Sequence, residues 1–269
     1  MIGIRDQGIP QRAVIAGVRV RSVAAVWLRH ATIFARLWRV ATTWIFIEPF
    51  VVLAAMSLGV GRLVGDIQPG VSYAVFVTPG VIMGNAMFHA IFTSSWDTYH
   101  RVSHGQYDTA LTAPVTVTEL ALGEVAWATT RALMTTVAVG VAAALLGLFD
   151  SPWAIGMVLA ALLVGLEFGA FGLIFAALSP NTHVLSLVFT VVATPLYFFS
   201  GGFFPIEDLP DWLEPIAWAL PLTPGVHLSR AFSTGEFALS HLWSALYMVG
   251  FTIAVFPISA ALMRRRLIK

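Results

Sequence analysis

Six stretches of this chain are each long and apolar enough to cross a hydrocarbon layer, and they fix most of what it can fold into. A helix rises about 1.5 Å per residue, so crossing a core of roughly 30 Å takes about 20 mostly apolar residues. Residues 41–60 qualify with a single charge, Glu48. Residues 71–96 contain no Asp, Glu, Lys or Arg, and neither do residues 132–149, a span that extends back to near Trp127. Residues 152–178 carry only Glu167, residues 182–206 carry no charge, and residues 241–263 form the last span. Ser200-Gly201-Gly202 ends the fifth helix before the apolar run does. The expectation is an all-α membrane protein with six transmembrane helices over 41–263, a single domain over 1–269, and no separate soluble unit.

Composition points the same way. Only 11% of the residues are charged, against roughly 25% in a soluble domain, which leaves too little charge to coat a water-facing surface. The net charge of +1 suggests no nucleic-acid partner. The chain has no cysteine, which excludes disulfides and Cys-based metal sites or nucleophiles. Residues 1–40 are too basic for a cleavable signal peptide, so the first span is expected to act as its own insertion signal.

Arginine placement predicts the orientation. Arg5, Arg12, Arg19, Arg21, Arg29, Arg36 and Arg39 precede the first span; Arg264, Arg265, Arg266 and Lys269 follow the last. Arg101 falls in the loop after the second span, on the same side. The opposite loops hold only Arg62 and Arg230, and the loop before the last span is acidic, with Glu207, Asp208, Asp211, Glu214 and Glu236. Both termini are therefore expected in the cytoplasm of a bacterial cell, with the chain in its inner membrane.

Three segments are not spans. Residues 1–40 form a cytoplasmic segment in which arginines over 14–39 alternate with Val18, Val23, Val26, Trp27, Ile33, Phe34, Leu37 and Trp38. That pattern predicts an amphipathic helix lying in the inner interface, its apolar face toward acyl chains. In residues 203–235, Pro205, Pro210, Pro215, Pro221 and Pro224 break an apolar stretch too short to cross. A re-entrant pair of short helices dipping into the outer leaflet is expected there. Residues 97–120 are the longest inner loop, with a short helix expected between Gly105 and Pro114. Its docking face would pair Tyr107 with Leu111, four residues apart.

The motifs exclude several chemistries. A phosphate-binding loop needs Gly-Lys-Ser/Thr, and the only lysine is Lys269, so this chain is expected to be no ATPase and to bind no cofactor itself. No His-Glu-x-x-His occurs, so no zinc-protease site is supported. Ser103, His104 and Asp108 are close in sequence without suggesting a triad. Candidate polar groups within the membrane are Glu48, Glu124, Arg131 and Glu167. Glu124 and Arg131 are seven residues apart and share a helix face near the inner boundary, where snorkelling makes charge cheap. Glu48 or Glu167 would serve a stand-alone proton-coupled carrier.

Gly105, Leu111, Pro114 and Val115, followed by Glu119 and Leu122-Gly123-Glu124, resemble the segment between spans two and three of ABC-2-type permeases. The stretch FFSGGFFPIEDLPDWLEPIAWALPLTPGVHLSR over 198–230 is similar to their second hallmark, here Ser200, Gly201, Phe204, Pro205, Pro210, Pro221, Pro224 and Arg230. GEVAWATTRA (123–132) and ALSPN (177–181) look closest to nodulation-factor lipo-oligosaccharide export permeases, and daunorubicin-type drug-export permeases are similar but less close. The resemblance covers about 40–265. It implies two permease chains, a homodimer, working with two separate ATP-binding subunits that carry the ATP and Mg. Those subunits would push on Gly105, Tyr107, Leu111, Pro114 and Val115 to drive export. Many relatives carry an acidic residue just before the loop glycine, where this chain has Ser103-His104.

Overall fold

The computed structural model describes residues 18–39, 47, 50–68, 71–149 and 151–268. Of the expected first span, residues 41–46, Glu48 and Pro49 lie outside the described residues; residues 50–64 are helical (α2). Helix α1 (Val20–Arg36) precedes it. A two-stranded antiparallel hairpin follows, β1 (Asp66–Gln68) with β2 (Val71–Ser72). The all-α expectation did not include it.

Among the described residues five helices are long and apolar enough to cross a membrane: α3 (Tyr73–Ser103), α5 (Val117–Leu145), α6 (Pro152–Leu178), α7 (Thr182–Phe199) and α10 (Leu239–Leu267). Between α3 and α5 lies the short α4 (Gln106–Leu111). Between α7 and α10 lie a 3-10 turn (Ile206–Asp208), α8 (Glu214–Ala219) and α9 (Leu222–Thr234). Short helices are thus present in 203–235, in the order the prolines suggest.

Helix α5 corrects the expected third span. It begins at Val117 rather than near Trp127, because Thr116 and Glu119 close a reciprocal capping box that starts the helix. Glu124 is therefore enclosed in the bundle rather than snorkelling from its edge.

Packing places α3 at the centre, against α5, α6 and α9, while α7 and α10 leave most of their surface open. Close backbone approach explains the glycines of α3. A Cβ on Gly80 would sit 2.3 Å from the Gly202 Cα, and one on Gly84 would sit 1.8 Å from the Tyr197 ring. Small residues four apart let helices meet this closely in a membrane, where dispersion rather than water expulsion drives association. Trp153, Trp212, Trp218 and Trp243 are exposed at the end of the bundle away from α1, where an aromatic belt would meet the headgroups.

Helix α1 lies across the other end and packs on α5. Val23, Val26, Trp27, His30 and Phe34, spaced three and four apart, turn toward the protein, with His30 buried. Arg21 and Arg36 lie on the opposite side, and Val20, Ala24 and Leu28 form an exposed apolar strip between the two. The expected amphipathic helix exists, but the strip left for acyl chains is narrower than expected because half of the apolar surface is spent on α5.

Candidate functional site

Four segments converge on one carboxylate at the arginine-rich end. Glu124 of α5 has no solvent exposure. Its Oε1 accepts the Tyr107 hydroxyl at 2.6 Å and lies 2.9 Å from His30 Nε2. Its Oε2 accepts from Arg101 Nη1 at 2.6 Å and from the Thr98 hydroxyl at 3.4 Å. The partners come from α1, from the last turns of α3 and from α4. A buried carboxylate survives only when paired and hydrogen-bonded, and here both oxygens are. Arg101 also pairs with Asp97 at 3.6 Å, one turn back.

The surroundings hold these segments in register. Gly105 takes the left-handed conformation (φ 65) that reverses the chain between α3 and α4. Glu119, besides capping α5, accepts from the Arg19 backbone N–H at 2.8 Å and its Nε at 3.3 Å, so one acid starts α5 and fixes the start of α1. Trp127 packs between Trp27, His30 and Phe34, and the Trp27 indole donates to Thr130 Oγ1 at 2.9 Å. Gly123 faces Val26, where a Cβ would come within 2.5 Å. Arg266 donates from Nη1 to the carbonyls of Ala176, Ala177 and Ser179 that end α6, and covers the Tyr99 ring at 5.1 Å.

Burial and the adjacent Glu124 carboxylate push the Tyr107 phenol well above its ordinary range, so it is a hydroxyl donor at any working pH. Tyr107 is 1% exposed. The expected docking face of Tyr107 with Leu111 is corrected on this point: Tyr107 turns inward because its hydroxyl satisfies Glu124, and Leu111 is half-buried against the cluster around Leu120 and Met263. The outward face of this loop is His104, Asp108, Thr109, Thr112 and Pro114, with Val115 half-buried. Glu124 and Arg131 lie two turns apart on α5, each with its own partner. Arg131 lies over the Phe34 ring at 5.0 Å, while Glu124 is bound by Arg101.

The residues singled out at the far end also meet. Arg230 of α9 donates to the Gly201 carbonyl at 2.8 Å and stacks on Phe76 of α3 at 4.0 Å. Burial lowers its pKa to about 10, against the pull of Glu207. Gly201 is left-handed (φ 74), and Ser200 is buried with its hydroxyl on the Leu196 carbonyl. Phe204 lies edge-on to Phe199, Pro205 precedes the 3-10 turn, Pro210 accepts from the Leu213 N–H, Pro221 caps α9, and Pro224 is buried within it. His227 of α9 stacks on His241 of α10 with ring centres 4.3 Å apart and pairs with Ser244 Oγ at 3.0 Å. Glu167 of α6 is fully buried, and neither carboxyl oxygen has a hydrogen-bond partner.

His30 was not singled out from the sequence. The available signal was a lone histidine on the apolar stripe of an amphipathic helix. In the sequence, Arg101 stands out only as a marker of orientation.

No residue in either cluster has the arrangement of a nucleophile or a metal site; what the first cluster can do is tie a short surface helix rigidly to two spans. The ABC-2 type transporter family model matches residues 21–232. The chain belongs to that family. It is similar to Nodulation protein J of Rhizobium meliloti (strain 1021), 29% identical over 90% of this chain and 93% of that protein. Nodulation protein J of Sinorhizobium fredii (strain NBRC 101917 / NGR234) is 30% identical over 91% of this chain and 93% of its own length. Inner membrane transport permease YadH of Escherichia coli (strain K12) is 24% identical over 80% and 82%. As an ABC-2 permease, the chain is a multi-pass membrane transport component.

Proposed function

We propose that the chain is the transmembrane permease subunit of an ATP-binding-cassette exporter. A separate ATPase subunit, in two copies, binds ATP and Mg and powers a dimer of this chain. The cargo is a lipid-like or amphipathic molecule (a lipo-oligosaccharide, glycolipid or hydrophobic drug) taken from the cytoplasm or inner leaflet of the inner membrane. Kinship with Nodulation protein J, and the resemblance to lipo-oligosaccharide exporters, support that cargo class. Residues 203–235 dip into the outer leaflet as a re-entrant hairpin over the exit, a reading supported by the two short helices and by Arg230 binding them to α3.

The observation that carries the coupling is the Glu124 cluster. A cytoplasmic motor moves membrane helices only through a stiff element joined to them. Helix α4 is joined through Tyr107 to α5, which Arg101 joins to α3 and His30 to α1. The ATPase seats on the outward face, around Asp108 and Thr109. Co-purification with a partner ATPase, followed by substrate-stimulated ATP hydrolysis, tests this. Asp108→Arg with Thr109→Arg is expected to leave the permease inserted while weakening that association. Wild-type association would move the docking site elsewhere, toward α1.

One observation favours a second reading. Glu167, buried without a hydrogen-bond partner, suits a stand-alone proton-coupled carrier. Transport driven by a proton gradient without the ATPase, and lost in Glu167→Gln, would establish that reading instead.

A further inference from the structure

The outer half of α5 and the start of α6 border a groove of about 710 Å³, which Phe149, Ser151 and Pro152 also line. Its walls include Thr136, Val137, Gly140, Val141, Ile155 and Val158, and among the described residues no charged side chain lines it. Val137, Val141, Ile155 and Val158 are also exposed on the flank of the bundle, so the groove opens sideways into hydrocarbon. The volume is that of a small-molecule site, for which about 300–1,000 Å³ is usual.

Gly140 keeps it open. Other glycines on these helices are required by contact: a Cβ at Gly165 would lie 2.7 Å from the Thr129 backbone. At Gly140 a Cβ would meet nothing within 4 Å. A glycine in mid-helix destabilises relative to alanine, and here no close packing requires it. Beside it, the Thr136 hydroxyl is buried on the groove wall without a hydrogen-bond partner.

We propose that this groove is a binding site for one acyl chain of a phospholipid in the leaflet away from the arginine-rich end. From Thr136 to Ala144 the wall runs about 12 Å at 1.5 Å per residue, which fits within one leaflet's half of a roughly 30 Å core. Exposed apolar walls at Val137, Val141, Ile155 and Val158, open to the bilayer, suit a hydrocarbon tail. The assignment to the far leaflet rests on the proposed topology; the site itself does not.

The test uses the full chain in nanodiscs of phosphatidylethanolamine and phosphatidylglycerol, doped with a phospholipid carrying a diazirine midway along one tail. Both leaflets are present, so the result is independent of orientation. After photolysis, cross-links are expected to concentrate on 136–144 and 154–158, several-fold above those at Leu246 and Ile253, which are equally open to lipid on α10. Gly140→Phe fills the groove and is expected to abolish that excess while leaving the α10 labelling unchanged. Val137→Trp blocks the mouth from the exposed side, and serves if the first variant folds poorly. Uniform labelling of groove and α10 in the wild type would overturn the proposal. So would an excess that both variants leave intact, or a change in oligomeric mass with no change in labelling, which would make the groove a contact between copies.

Discussion

Glu124 shows what one buried charge demands of its neighbours. Taking a carboxylate out of water costs several kcal/mol, and only good geometry repays it. Arg101 supplies the countercharge, and Tyr107, His30 and Thr98 supply the remaining hydrogen bonds. Tyr107→Phe removes one hydrogen bond to a charged group and is expected to destabilise the solubilised protein by about 1.5–3 kcal/mol. Tyr107→Ala also leaves a cavity and should cost about 3–5 kcal/mol. Thermal unfolding in detergent separates the two; equal and negligible losses would mean that the hydroxyl does not hold the cluster. Little of this was legible in the sequence. The spacing of Glu124 and Arg131 was visible because a helix repeats every few residues. The real partners lie 17 and 94 residues away, at Tyr107 and His30, and only tertiary packing selects them.

At the scale of elements, the spans were legible and their ends were not. Hydrophobicity located α3, α6, α7 and α10, whereas α5 began ten residues early because a cap and a satisfied buried acid let polar sequence continue the helix. The junction of α3 with the segment after α7 rests on Gly80 against Gly202. A methyl group at Gly80 would collide with backbone, which cannot move aside as a side chain can. Gly80→Ala is therefore expected to cost about 1–3 kcal/mol, as overpacking does, and to loosen the hold of Arg230 on Gly201. Faster hydrogen exchange over 198–206 in that variant would report it; unchanged exchange and stability would show that the two backbones part without consequence.

The seam between α9 and α10 has its own pH dependence. Burial first, then the neighbouring His241 and Arg230, lower the His227 pKa to about 4, with Glu207 pulling the other way. Its ordinary value is 6.5, so between these values the unfolded chain binds a proton that the folded chain refuses. Stability from this group is complete above about pH 6.5 and is lost as pH falls toward 4. His227→Gln should flatten the fall in thermal midpoint across that window; an identical pH profile in the variant would assign the loss to other groups.

For the whole molecule, the two arginine-rich segments meet at one end of the bundle. Helix α1 packs on α5 beside Glu119 and Glu124 in its first turns. The last turn of α10 reaches the carbonyls that end α6 through Arg266. Helices α5 and α6 are consecutive and pack together, so the start of one adjoins the end of the other. Translocating either arginine cluster would cost more than retaining it, and their shared location means that one orientation satisfies both. The exposed tryptophans at the opposite end suit the headgroup layer of the other leaflet. The expected outcome is that an alkaline phosphatase fusion after residue 268 is inactive and one within 206–214 is active, with green fluorescent protein fusions giving the reverse pattern. The same sign at both positions would break the even-span topology. An active phosphatase at the C-terminal fusion would invert the protein, placing α4 where no ATP-driven partner could reach it.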